Sequence, residues 1–372
     1  MKEATMSIAD LITENGYSGE THTVSTNDGY KLILHRIPFG KNKPQEPGVP
    51  VLIMHSAFCG SSSWLDNLED SLGYILADEG FDVWLGNVRG NEGSEHISYG
   101  RDDAEFWDFS WEEIAEKDLT ALIDYVRNVT KYEKVLYIGE SLGTLIGFAL
   151  FSSPEYDNKV AGFVAMSPIL NAKYVTTISG KILVNNFNKI QFISNIFGSS
   201  QVRLYPERLK TIIATFCTHP TLCNFFYTII TGYSPNLYNV SRFPVYTFHC
   251  SESVSAKTLR HGHQLHSSQI LAKYDYGKTK NLEKYGSITP PIYNTSKITT
   301  PIALITSAND PYATPINAQL TARNLTNVIA FEIVPEILFN HVNFMWSHPA
   351  KPLIYDRTIE ILKQMWSQNG LK

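Results

Sequence analysis

The chain has 372 residues, 43% of them hydrophobic, and a formal net charge of only −5, so it has material for a large core and no electrostatic excess of either sign. No Lys/Arg cluster stands out, which argues against a nucleic-acid partner, and no apolar run reaches the roughly 18 residues that a bilayer-spanning helix needs. The opening MKEATMSIADLITENG lacks the uninterrupted apolar stretch of a signal peptide. The chain therefore reads as cytosolic if this N-terminus is native, or as a mature form whose leader has been removed.

In chain order, Ser7 to Asn15 predicts a short helix stopped by Gly16. Two alternating stretches, His22 to Ser25 and Tyr30 to Arg36, flank Asn27-Asp28-Gly29, and Asp-Gly between alternating runs is a hairpin signal. Lys41 to Pro50 is a proline-rich loop. Val51 to Met54 predicts a buried strand, running into the small-residue loop His55 to Ser61. Leu72 to Glu79 predicts a helix, Phe81 to Trp84 a strand, and Gly86 to Asn91 a turn-rich loop. Ser110 followed by Glu113 is a capping box for a helix whose apolar face runs to about Asn128.

The next stretch, Lys134 to Ala149, organises the rest. Val135 to Ile138 is an apolar β-rich run, Gly139-Glu140-Ser141-Leu142-Gly143 follows, and a helical pattern begins at once with Leu145 and Ile146. Strand, G-x-S-x-G and helix together predict a nucleophile elbow, in which a sharp turn lifts Ser141 above the sheet. Crowding on both sides of the turn calls for residues without a Cβ at Gly139 and Gly143. The new helix would aim its first N–H groups at an oxyanion forming there.

Phe163 to Met166 predicts one more strand, and the alternation with helices argues for a mostly parallel, doubly wound sheet. The rhythm breaks after Ser167-Pro168. Helical patches at Ile190 to Phe197, Leu209 to Phe216 and Phe225 to Ile230 follow, interrupted by Pro206, Pro220, Pro235 and Pro244. The strand pattern resumes at Ile302 to Thr306, so the expected organisation is a core over 1–169, an inserted helical cap over 170–296, and the second part of the core over 297–372. Val328 to Val334 predicts a last strand, and Asp356 to Trp366 a closing amphipathic helix.

A neutral serine needs a base within hydrogen-bond reach and a carboxylate to orient that base. In an α/β-hydrolase sheet all three sit at strand C-terminal ends in the order Ser, Asp/Glu, His. Ser141, Asp310 after the 302–306 strand and His341 after the 328–334 strand meet both conditions. The loop after Val51 to Met54 is where such folds place a second oxyanion N–H donor. The His261 to His266 run has no Cys or carboxylate pattern beside it, so it reads as a solvated helix face, with no metal and no cofactor assigned. Cys217 and Cys223 are spaced so that they could be bridged, whereas Cys59 and Cys250 read as unpaired buried thiols. Sequons at Asn128, Asn239, Asn294 and Asn324 fit a secreted protein. Glu140 has two readings: turned under the elbow onto a backbone N–H or a basic side chain, or facing His341, where its charge would favour the imidazolium.

Over nearly its whole length, about Ile12 to Trp366, the chain resembles the acid lipases, the gastric and lysosomal enzymes and their insect relatives. The resemblance is carried by Asp82 to Asn87 with Arg89-Gly90-Asn91, Phe106-Trp107-Asp108-Phe109-Ser110, Tyr274-Asp275-Tyr276-Gly277 and Pro290-Pro291-Ile292-Tyr293-Asn294. It implies Ser141, Asp310 and His341 as the catalytic residues and the backbone N–H groups of Leu142 and Ala57 as oxyanion donors. It further implies hydrolysis of lipophilic esters, acylglycerols or sterol esters, in a secreted or lysosomal glycoprotein. A helical cap with a lid near residues 185–225 would make transient contact with a lipid interface. The chain has Glu140 and Leu142 where the family has His and Gln, Ser56-Ala57-Phe58 where it has Gly-Leu-Leu, and Asn343 where it has Asp. The density of Ile, Phe and Tyr from Lys189 to Ile230 predicts an apolar acyl pocket. The same first half-reaction would serve an acyltransferase, and a carrier would keep the pocket for binding alone but has no need of Asp310 behind His341.

Overall fold

A computed structural model describes residues 2–43, 45–171, 173–176 and 200–369. The patch at Ile190 to Phe197 and the first part of the predicted lid, residues 185–199, therefore lie outside the described residues.

Among the described residues, one sheet of nine strands forms the frame. Its strands are β1 (Glu20–Ser25), β2 (Tyr30–Ile37), β3 (Pro50–Met54), β4 (Asp82–Gly86), the short β5 (Glu95–His96), β6 (Val135–Glu140) and β7 (Val160–Met166). After a second, two-stranded pair, β8 (Gln201–Val202) and β9 (Val254–Ser255), it is completed by β10 (Ile302–Ser307) and β11 (Val328–Val334). The order across the main sheet is β1-β2-β4-β3-β6-β7-β10-β11, with β5 on β2. The β1–β2 hairpin, its contact with β4 and the β5 pairing are antiparallel, and every other neighbouring pair is parallel.

The central strands are apolar without interruption because both faces of a parallel sheet are covered. Side chains alternate between the two faces at every residue. Val51, Ile53, Val83, Leu85, Leu136 and Ile138 enter one core. Leu52, Met54, Trp84, Tyr137, Phe163 and Leu304 enter the other. The closing helix Asp356–Gln368 brings Ile361, Leu362 and Met365 to the first core, close over Gly162. The helices Thr120–Thr130 and Leu142–Phe151 cover the second.

The capping box is present, with Ser110 N–H donating to the Glu113 carboxylate at 2.7 Å. The helix it opens runs to Thr130 with a wide π turn at Ile114–Leu119, which sequence periodicity does not reveal. That turn carries Asp118, whose buried carboxylate accepts from Arg89 at 2.8 Å, while Arg89 also reaches Asp28 of the hairpin turn at 2.8 Å. The turn-rich loop after β4 is thus tied to both the hairpin and the helix by one buried guanidinium.

Between β7 and β10 lie the helices Lys210–Phe216, Pro220–Thr231, Phe243–His249, Ala256–Ser268 and Lys278–Tyr285. β10 pairs directly with β7, so this stretch leaves the sheet and returns to it beside the strand it left. Pro220 and Pro244 open helices at N1 or N2 rather than interrupting them, because a first-turn N–H has no intrahelical acceptor to lose. Two sequence expectations are corrected here. Cys59 and Cys250 are joined in a disulfide across 191 residues, alongside Cys217–Cys223. Long-range bridges of this kind leave no spacing signal. His261 is not on a solvated face: it is buried and stacked on Trp111 at 3.8 Å, because that side of the helix packs on the aromatic 106–111 segment.

Candidate active site

β6 ends at Glu140, and Ser141 stands between strand and helix with φ 51° and ψ −107°, a backbone conformation that L-residues rarely adopt. The crowding is real on both sides. A Cβ on Gly139 would lie 2.5 Å from the Gly143 carbonyl carbon, and one on Gly143 would lie 2.7 Å from the Met54 carbonyl oxygen. The Tyr137 hydroxyl donates to the Gly143 carbonyl at 2.6 Å and pins the turn from below.

His341 lies on the loop beyond β11, and its Nε2 is 2.9 Å from the Ser141 Oγ. Its Nδ1 is 2.9 Å and 3.0 Å from the two Asp310 oxygens. Asp310, on the loop beyond β10, is buried and further held by the N–H groups of Tyr312 at 2.9 Å and Ala313 at 2.8 Å. The Ser167 hydroxyl donates to its other oxygen at 2.5 Å. Burial alone would raise the Asp310 carboxyl, but the His341 ring and these donors hold it below the usual carboxylate range. It is therefore ionised behind the imidazole. Three residues predicted from chain order thus form one continuous hydrogen-bonded line.

The His341 loop is tethered on its far side. Asn340 donates to the Gly232 carbonyl and the Tyr238 hydroxyl, each at 2.7 Å. Asn343 Oδ1 accepts from Asn340 N–H and from the Ser234 hydroxyl, each at 2.7 Å. Only acceptor oxygen is used in those two bonds, so an amide serves where the resembling family has a carboxylate. The Tyr312 ring meets the imidazole edge-on, with centroids 5.0 Å apart.

Leu142 opens the helix Leu142–Phe151, so its N–H has no carbonyl within the helix to bond. Ala57 lies on the loop after β3, and the two residues line one small cavity together with Phe58 and Phe109. Phe58 has φ 64°, and its carbonyl accepts from Glu252 N–H at 2.9 Å, next to the Cys59–Cys250 bridge.

Glu140 is fully buried, with Oε1 3.5 Å from His341 Nε2. Burial lowers the basicity of His341, but Asp310 first and Glu140 second outweigh it, and the ring is held protonated to higher pH than a free histidine. Sequence reasoning left the direction of Glu140 open and missed Ser167 altogether, since a lone serine after a strand carries no pattern. Among the described residues no group of three or more His, Cys, Asp or Glu side chains is arranged to hold a metal.

The family model for a partial α/β-hydrolase lipase region matches residues 8–68, and that for the α/β-hydrolase fold matches 50–188. Bovine gastric triacylglycerol lipase is 35% identical over 97% of this chain and 92% of its own length. Human lipase member M is 35% identical over 97% and 86%. The lysosomal acid lipase/cholesteryl ester hydrolase of Macaca fascicularis is 33% identical over 97% and 92%. Among solved structures, an α/β-hydrolase from Penicillium sp. shares the fold with a TM-score of 0.56 at 14% identity, over 94% of this chain and 99% of that one. Naproxen esterase from Bacillus subtilis does so with a TM-score of 0.51 at 14% identity, over 95% and 94%.

Proposed function

We propose, from the premise that the chain belongs to the acid lipase family and is a carboxylic ester hydrolase of the α/β-hydrolase fold, that it cleaves lipophilic esters such as acylglycerols or sterol esters through Ser141, His341 and Asp310. The observation that carries this reading is the unbroken line from Ser141 Oγ through the His341 ring to Asp310, with 2.9 Å at both its Ser141 and its shorter Asp310 contact.

Ser141 Oγ attacks the ester carbonyl carbon as His341 Nε2 takes its proton. The negative charge gained by the carbonyl oxygen is held by the Leu142 and Ala57 N–H groups. Asp310 keeps the proton on Nδ1, so that Nε2 is the basic nitrogen, and stabilises the imidazolium once formed. The intermediate collapses, the carbon–oxygen bond to the alcohol breaks, and the Nε2 proton leaves with the alcohol. Water then enters, gives its proton to Nε2 and releases the acid from Ser141 by the same steps.

The lipophilic preference is supported by the exposed apolar side chains of the two helices after β8, among them Ile212, Phe216, Phe225 and Ile229, which suit contact with a lipid surface. Two disulfides and the exposed sequon residues Asn128, Asn294 and Asn324 favour a protein that passes through the secretory pathway. Among the described residues no helix is long and apolar enough to cross a membrane. The test is Ser141→Ala. Turnover should fall by several orders of magnitude with the melting temperature retained, and an alkyl phosphonate should label Ser141 in the parent, as read by mass spectrometry. Undiminished turnover by the folded variant would end the proposal.

A further inference from the structure

Glu140 is the last residue of β6, adjacent to Ser141, and its carboxylate lies on the Nε2 side of His341, opposite Asp310. No backbone N–H and no Lys or Arg side chain among the described residues bonds it. Its ion-pair partner is the imidazole, at 3.5 Å. The same nitrogen faces Ser141 Oγ at 2.9 Å, so the atom that accepts the serine proton is the one Glu140 approaches.

We propose that Glu140 is a positioning residue, a second carboxylate that holds the protonated His341 ring and confines ester hydrolysis to neutral and alkaline surroundings. This rests on the reading of Ser141 and His341 given above. The groups facing the ring are Asp310 and the edge-on Tyr312 from the loop beyond β10, and Glu140 and Ser141 from the elbow. On its own loop the near neighbours are the uncharged Asn340 and Asn343. Two carboxylates therefore act on one imidazole, with no Lys or Arg ion pair to either of them among the described residues.

The consequence has two parts. In acid, the Asp310 charge, joined by that of Glu140 as its carboxyl ionises, keeps the ring as imidazolium, which cannot take the Ser141 proton, so the first step is blocked. Once pH rises and the ring loses its proton, the same charges make Nε2 a stronger base and stabilise the imidazolium that forms in each half-reaction. Burial raises the Glu140 carboxyl itself, the His341 ring opposes that rise and Asp310 adds to it, while the Ser56 hydroxyl opposes it further. Titration of His341 and Glu140 is accordingly coupled, and the acid limb of activity reports the pair.

The experiment compares the pH dependence of kcat/KM on p-nitrophenyl butyrate in the parent and in Glu140→Gln, which keeps the shape and removes the charge. The rate of Ser141 labelling by an alkyl phosphonate is followed across the same pH range. The acid-limb midpoint should fall by about one pH unit or more in the variant by both readouts. A merely structural role would change the rate by the same factor at every pH, and superimposable profiles with Ser141 labelled in both proteins would overturn the proposal while leaving the hydrolase reading intact. Failure of the phosphonate to label Ser141, together with an active Ser141→Ala, would remove both. The parent alone supplies a test independent of the variant's folding. Its kcat/KM at pH 5 should be at least about tenfold below that at pH 8, and equal values would overturn the proposal.

Discussion

Ser167 shows how a single side chain outside the reacting line sets its geometry. It follows the last residue of β7 with φ 50°, a conformation a residue with a Cβ reaches only when its surroundings hold it there. Its N–H donates to the Ile305 carbonyl at 2.9 Å, and its hydroxyl donates to Asp310 at 2.5 Å. A neutral donor to a buried carboxylate contributes about 1.5–3 kcal/mol, and here that energy fixes which way the carboxylate faces. Ser167→Ala should lower kcat by roughly ten- to a hundredfold while KM moves little. Steady-state kinetics check this, and an unchanged kcat would mean that the Tyr312 and Ala313 N–H groups suffice. Ser167→Gly, which relieves the backbone but also lacks the hydroxyl, should lose the same activity with a different melting temperature, separating strain from hydrogen bonding.

At the scale of elements, the turn from β6 into the helix Leu142–Phe151 is the least adaptable part of the fold. Gly143→Ala would drive a methyl group onto the Met54 carbonyl of the neighbouring strand, and neither backbone can retreat without disturbing the sheet. The expected cost is about 2–3 kcal/mol, visible as a lower melting temperature, with activity reduced beyond what residual fold accounts for. This turn was legible in the sequence because all its determinants are local: an apolar run, two glycines at fixed offsets and an immediate helical pattern. Asp310 and His341 were legible for a related reason, as each follows a recognisable strand and chain order constrains their roles. What escaped is non-local. His261 looked solvated because its stacking partner Trp111 is 150 residues away in the chain, Arg89 gave no hint of its carboxylate partners, and Cys59–Cys250 has no spacing rule. The π turn at Ile114–Leu119 was hidden because one extra residue per turn barely disturbs apolar periodicity.

At the scale of the whole molecule, the proposed lipophilic preference rests on the segment between β7 and β10. Its apolar helices predict that kcat/KM on p-nitrophenyl esters rises from acetate toward longer acyl chains, and a steady decline would refute a lipophilic substrate. The segment is bound to the sheet domain at a particular place, where Cys250 meets Cys59 on the loop that carries Ala57. A bridge spanning 191 residues removes about 5 kcal/mol of chain entropy from the unfolded state on the loop-closure model. It also imposes a schedule on synthesis. Cys59 leaves the ribosome long before Cys250, and Cys217 and Cys223 emerge in between, so the first cysteines Cys59 meets are not its own partner. The nascent chain must keep that thiol uncommitted until the last of the four arrives, or exchange a wrong bond for the right one. Maturation should therefore depend on an oxidising compartment with disulfide exchange. Expression in a reducing cytosol should give little active protein, and co-expression of a disulfide isomerase in an oxidising host should restore it, as measured by active-site titration of Ser141.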